Sequence, residues 1–252
     1  VIISHKHKWV FVHNPKVAGT SVRSALAPYH DDSREFWHQG WFPPEDRVID
    51  LAHMTADIWH PIVDPRYTSF GFVRHPYARF VSGLTEVMRR HCKDFAPDLR
   101  RFVMEQMTPA NLRWDWRFIH LCPQHNFFFR GSKRVVDHVG RMENLAQDWA
   151  AITSLLGLNI NLPHERVGAI PQHTLLEDPE VLNRINSLYL RDFQLFGYRM
   201  LGTVEASSHS ERIAAIHDNS RFTFFTQTDL DQIQFTEGER ISLRRRIQEE
   251  AS

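Results

Sequence analysis

The stretch WVFVHNPKVAGTSV, residues 9–22, decides the fold. Trp9 to Val12 is an unbroken apolar run of β-branched and aromatic side chains, the pattern of a buried strand. Asn14 to Gly19 contains a proline and a glycine and reads as a tight loop. Thr20 or Ser21 can cap a helix beginning there, and Val22, Ala25 and Leu26 fall at helical spacing. The segment reads strand, tight loop, helix.

Outward from it, the pattern repeats. Tyr67 to Val73, with Phe70, Phe72 and Val73, is a second strand, closed by Arg74-His75-Pro76 because proline cannot continue a central ladder. Phe80, Val81, Leu84, Val87 and Met88 then form a helical stripe. Val135 to Val139 is a third strand, followed by a helix over Asn144 to Leu156. Strands alternating with helices predict an α/β fold, a central mainly parallel β-sheet flanked by helices. Residues 91–130 are rich in Trp, Phe and Arg and read as mostly helical, with breaks at Pro97 and Pro109. Residues 158–180 hold Pro163, Pro171 and Pro179 and read as a long ordered loop. Asn183 to Phe193 reads as one amphipathic helix. Residues 203–252 differ in character and end in a charged helical pattern, Glu237 to Glu250. The division expected is one domain over 1–202 and a C-terminal extension over 203–252 packed on it.

Composition narrows the function. Of 252 residues, 42% are hydrophobic and 24% charged, a globular balance that excludes wholesale disorder. Two cysteines, Cys92 and Cys122, cannot make a disulfide framework. No apolar run approaches the ~20 residues of a membrane span. Thirty basic residues balance thirty acidic ones, which argues against a general nucleic-acid binder. The balance is uneven along the chain, +4 over 1–176 and −4 over 177–252. With no span and no N-x-Ser/Thr site, the expected setting is a soluble bacterial cytoplasmic enzyme, with an excised Golgi-luminal domain as the alternative.

Two segments carry chemistry. In Pro15-Lys16-Val17-Ala18-Gly19-Thr20-Ser21, backbone N–H groups and a helix N-terminus form an anion cradle. Gly19 permits close approach, Lys16 supplies a mobile charge, and Thr20 and Ser21 supply hydroxyl donors. It is not a Walker A loop, where the lysine follows the glycine. An ordinary turn with a solvated lysine reads equally well from these residues alone. In RHPYARFVS, Arg74 stands at the entrance of a helix and Ser82 one to two turns inside it. Both can reach an anion at the C-terminal edge of the sheet. A surface ion pair and a core-facing serine are the alternative.

Taken together, these segments resemble the PAPS-dependent sulfotransferases of the carbohydrate (type 2) branch. CPQHNFFFRG, residues 122–131, is similar to that family's middle segment, VGRMENLAQDW, residues 139–149, to its later helix start, and RDFQLFGY, residues 191–198, to its closing motif. The resemblance runs in order over about residues 8–200. It implies a P-loop-kinase-like α/β domain that moves a sulfuryl group from PAPS, 3′-phosphoadenosine 5′-phosphosulfate, to a hydroxyl of a sugar, glycan or glycolipid. It implies that Lys16, Val17, Ala18, Gly19, Thr20 and Ser21 hold the 5′-phosphosulfate, with Lys16 on the bridging oxygen. It also implies that Arg74 and Ser82 hold the 3′-phosphate.

In-line transfer needs both partners positioned and charge stabilised on the leaving oxygen, by analogy with phosphoryl transfer. It also needs a base for the acceptor hydroxyl, a role that suits histidine. Among sixteen histidines, His53 is the choice, since the resembling enzymes carry a catalytic histidine in a similar segment between the two motifs. His60 and His75 are the rivals, while His13, just before the loop, is placed to bond cofactor or substrate. His120-x-Cys122-x-x-His125 and His5-x-His7 look ligand-like but lack the paired knuckles of a zinc site, so no metal is expected. Gln124 and Phe127 to Phe129 read as core, with a contact to the adenine side as the alternative, and Arg141 with Glu143 as an ion pair. Pro163 to Leu176, with Arg166, His173 and Thr174, falls where the family closes a lid. Arg113, Trp114, Trp116 and Arg117 are candidates for an acceptor wall. The extension reads equally as packing on the domain, forming a homodimer or touching the acceptor. A nucleotide kinase and a non-catalytic nucleotide-binding relative are the competing functions.

Overall fold

The computed structural model describes residues 1–201 apart from 35, 37, 43–45, 97 and 163–173. The strands are β1 (Ile2–Ser4), β2 (Trp9–Val12), β3 (Gln39–Phe42), β4 (Arg47–Asp50), β5 (Thr68–Val73), β6 (Phe129–Arg130), β7 (Lys133–Arg134) and β8 (His138–Arg141). The longer helices are α1 (Gly19–Leu26), α2 (Pro76–His91), α3 (Leu145–Leu155), α4 (Pro179–Leu188) and α5 (Leu190–Phe196). The central sheet runs β1-β2-β5-β8. β1 is antiparallel to β2, while β2, β5 and β8 are mutually parallel, with Phe11 opposite Phe70 and Phe72 opposite Gly140. β3 and β4 form a separate antiparallel hairpin, Gln39 opposite Asp50.

The parallel core is covered on both faces, so its strands read as continuous apolar runs rather than alternations. Trp9, Phe11, Phe70 and Phe72 pack with Val22 and Leu26 of α1 and Trp149 and Ile152 of α3. Val10, Val12 and Val73 point to the other face, onto Trp59, Phe127 and Phe128. A further cluster joins α2 through Phe80 and Leu84 to Phe102, Phe118, Ile185 and Phe193. The mixed α/β architecture with a mostly parallel sheet flanked by helices is therefore as expected. No helix of the described residues is long and apolar enough to cross a membrane.

Several boundaries shift, each for a local reason. The third strand is His138–Arg141, not Val135 to Val139, because Asp137 is used to fasten its start. Its carboxylate accepts from Ser69 N at 2.8 Å and Ser69 Oγ at 2.7 Å. The single helix over Asn183 to Phe193 is instead α4 and α5. Asp178 caps Glu180 N and Val181 N, and Pro179 stands at the first position, so the helix starts early. Tyr189 leaves helical geometry at ψ 15° and anchors its hydroxyl on Leu121 O at 2.7 Å. Pro109 begins a short helix rather than breaking one, with Thr108 as its cap. Pro97, most of the 163–176 lid segment and residues 203–252, including 237–250, lie outside the described residues.

One buried polar network holds the C-terminal edge of the sheet. The Gln124 side chain accepts from Asn14 Nδ2 and Arg74 N, each at 2.9 Å, and donates to Arg74 O at 2.8 Å. Asp192 of α5 accepts from Gln124 N at 2.7 Å and from His125 N at 2.9 Å, and pairs with His125 Nδ1 at 2.8 Å. Removing the fully buried Asp192 carboxylate orphans these donors at once. Asp192→Ala is expected to cost about 3 kcal/mol or more of unfolding free energy in urea titration, with Asp192→Asn recovering part of it.

Candidate functional site

The loop after β2 has an unusual backbone. Lys16 at φ 64° and Ala18 at φ 49° both take the left-handed backbone, strained for side-chain-bearing residues. Alternating backbone handedness makes a concavity lined by N–H groups. It opens on the N-terminus of α1, which has no side-chain cap and no acidic residue in its first turn. Val17 is buried in the core, Thr20 is exposed and Ser21 is buried. Gly19 is needed for a neighbour rather than for its own backbone angle. A Cβ there would come within 2.0 Å of His13 Nε2.

Two arginines of RHPYARFVS clamp this loop. Arg74 Nη1 donates to Lys16 O at 3.4 Å and Arg79 Nε to Pro15 O at 3.0 Å. Arg79 is 1% exposed, and burial draws its guanidinium below the ordinary value. Sequence reading passed over Arg79; its signal was a lone arginine set between the apolar Tyr77, Phe80 and Val81. Ser82 is half-buried on α2. Lys16 Nζ lies 3.5 Å from Glu86 of α2, which Arg89 and Arg90 also hold. Burial opposes ionisation of Glu86, but the bonds from Arg89 and Arg90 and the charges of Arg90 and Lys16 outweigh it. The carboxyl is held well below its usual range.

His53 is brought to the same place from the far side of the chain. Asp50 accepts from His53 N at 3.1 Å, and His53 Nδ1 donates to the carbonyl of His13 at 3.2 Å. That bond fixes the proton on Nδ1 and leaves Nε2 as the bare, basic nitrogen. The His53 ring lies 4.2 Å from that of His13 and 5.2 Å from that of His120, centroid to centroid. Burial, only partly offset by Asp50 and the His13 carbonyl, lowers His53 to about 4. Burial and the neighbouring His53 push His13 and His120 well below the usual histidine value. All three are neutral at pH 7.

The rivals stand elsewhere. His60 meets Arg130 at 3.4 Å, and His75 packs among Tyr77, Phe193 and Tyr198. The ligand-like trio disperses: His120 lies on His53, Cys122 meets Asn126, and His125 pairs with Asp192. Arg141 and Glu143 take separate partners. Arg141 stacks on Tyr198 at 4.6 Å and bonds Phe196 O, while Glu143 accepts from His75 N and Tyr198 Oη.

A cavity opens beside His53, between β4 and the segment 113–119, lined by Asp50, Arg47, Arg113, Trp114 and Trp116. Arg113 pairs with the buried Asp57, and the guanidinia of Arg47 and Arg113 lie 5.0 and 5.1 Å from the Trp114 ring centre. Three of the four expected wall residues therefore face it. Arg117 instead pairs with Asp115 and lies over Phe95. A second depression runs from Ser21 along α3 to Asn161.

The neutral histidines set a pH dependence. The unfolded chain binds a proton at His53 near 6.5 and the folded chain only near 4. Between those values the unfolded state holds more protons, so stability rises with pH and levels off above about 7.5. His53 alone accounts for about 3 kcal/mol between pH 4 and 7. Urea midpoints should climb over this range in the wild type and climb less in His53→Gln.

The chain matches a family model described as Sulfotransferase family over residues 1–199. No curated protein and no solved structure matches it. With the loop, the clamping arginines and the histidine pocket all inside those residues, the chain belongs to the sulfotransferase family, in its carbohydrate (type 2) branch.

Proposed function

We propose that the protein transfers a sulfuryl group from PAPS to a hydroxyl acceptor, a sugar or glycan, through a P-loop-kinase-like cradle. The observation that carries this reading is the bond from His53 Nδ1 to the carbonyl of His13. It ties a basic imidazole nitrogen to the same turn of chain that carries Lys16, three residues on. The donor supplies an activated sulfuryl group; the rest is work for this chain's residues.

The backbone of Val17, Ala18 and Gly19, with Thr20 and Ser21, faces the 5′-phosphosulfate at the α1 N-terminus. Arg74 and Ser82 hold the 3′-phosphate. Lys16 leaves Glu86 and meets the charge that gathers on the departing phosphate oxygen. His53 Nε2 takes the acceptor's proton, its ring held by Asp50 and by the His13 carbonyl. The acceptor enters by the cavity beside His53, where Trp114 offers a ring face. Residues 1–202 form the catalytic domain and 203–252 an extension of it.

Titration calorimetry separates the readings. Binding of 3′,5′-ADP without binding of ATP and magnesium supports the donor assignment, and the reverse supports a nucleotide kinase. With radiolabelled PAPS and fractionated glycan acceptors, label should move to acceptor. Lys16→Ala and His53→Ala should each lower turnover by roughly 10²- to 10⁴-fold, and His53→Ala should still bind 3′,5′-ADP. Binding without transfer to any acceptor pool would mean a non-catalytic relative. Near-normal turnover in His53→Ala would remove it as the base.

A further inference from the structure

The carbonyl of His13 orients His53, but its imidazole has had no task. The ring is 6% exposed, stacked on Phe11 at 5.8 Å and tilted against His53 at 4.2 Å. Burial and the positive groups around it keep it neutral, so it carries one N–H and one bare nitrogen. Nδ1 is sealed in the interior with no hydrogen-bond partner. Orphaned buried donors are rarer than under-satisfied acceptors, so the sealed Nδ1 is the bare nitrogen and the proton sits on Nε2. Nε2 lies against Gly19, the first residue of α1, in the space a side chain there would fill. His53 carries the opposite tautomer, with its proton on Nδ1. Two adjacent imidazoles thus present unlike nitrogens, one donating and one accepting.

We propose that His13 Nε2–H donates a hydrogen bond to a non-bridging oxygen of the group being transferred, as a neutral partner to the base His53. The inference rests on the sulfuryl-transfer reading. The bond from sulfur to the bridging oxygen breaks, and the leaving phosphate keeps its electron pair. The bond from sulfur to the acceptor oxygen forms, the acceptor's proton passes to His53 Nε2, and His13 keeps its proton throughout. A neutral imidazole beside a helix N-terminus is an established kind of electrophile. It stabilises developing charge without adding a cation next to His53. The groups that act on the pair are Arg23, Arg90, His120 and the amino group of Val1, with Asp50 beneath His53.

The test joins tautomer and activity. Nitrogen-15 NMR of histidine-labelled wild-type protein at pH 7.5, without ligand, should show His13 protonated on Nε2 and His53 on Nδ1. The Nδ1–H form at His13 overturns the proposal, and this readout needs no variant to fold and no acceptor. The amide nitrogen of glutamine can reach the Nε2 position and that of asparagine the Nδ1 position. His13→Gln should keep kcat within about 10-fold, and His13→Asn should lose about 100-fold. Both should bind 3′,5′-ADP, which has no sulfuryl group, within about 3-fold of wild type. Equal losses in both variants, or a parallel loss of 3′,5′-ADP binding, would make His13 a packing residue and overturn the assignment. Failure of the wild type to transfer sulfate would sink the sulfotransferase reading itself while leaving the tautomer result intact.

Discussion

The carboxamide of Gln124 is shared between the ends of two parallel strands. Past β2 and β5 the ladder stops, and each strand leaves main-chain groups that need partners in a dry interior. After β5 Gln124 supplies them, accepting from Arg74 N and donating to Arg74 O, and it also accepts from the side-chain Nδ2 of Asn14 after β2. Asp192 in turn holds the backbone of Gln124. Such a network is costly when incomplete and rigid when complete. Because one carboxamide grips Asn14 after β2 and Arg74 after β5, the loops there are held side by side. Arg74 and Arg79 can therefore reach the carbonyls of Lys16 and Pro15 and hold a loop with two left-handed residues.

The electrostatics follow from that placement. The site does not need a basic protein, and the chain's charges balance overall. It collects Lys16, Arg74, Arg79, Arg89 and Arg90 around one loop and one helix face, with Glu86 balancing three of them. An anion placed at the α1 N-terminus would compete with Glu86 for Lys16. Against this cationic rim the three histidines stay neutral, because burial and mutual proximity disfavour any proton among them. A neutral cluster is the state in which one nitrogen can accept a proton and another can donate a hydrogen bond.

Much of this was legible in the chain. The strands β2 and β5, the loop at Lys16 and the helices after each are set by contiguous residues. Periodicity, a proline and a cap are local properties that the backbone obeys wherever the segment packs. The third strand was misplaced by three residues because a bond from Asp137 to Ser69 decides where pairing begins. The split into α4 and α5 came from Tyr189 reaching for Leu121. Both are long-range bonds, and a single sequence carries no trace of the partner.

The sequence by itself determined the architecture and the place of the loop between β2 and α1, since both depend on short segments whose side-chain pattern dictates their conformation. It pointed to His53 chiefly through resemblance, with an apolar flank as the only physical support. Only the tertiary structure decided that His53 is held by the His13 carbonyl, that Gly19 is small to make room for the His13 ring, and that Arg79 is a clamp rather than a surface charge. The physical reason is the same in each case. These roles are fixed by groups 6 to 64 positions apart in the chain that only folding brings into contact, as where the pairing of β2 with β5 sets Arg79 against Pro15.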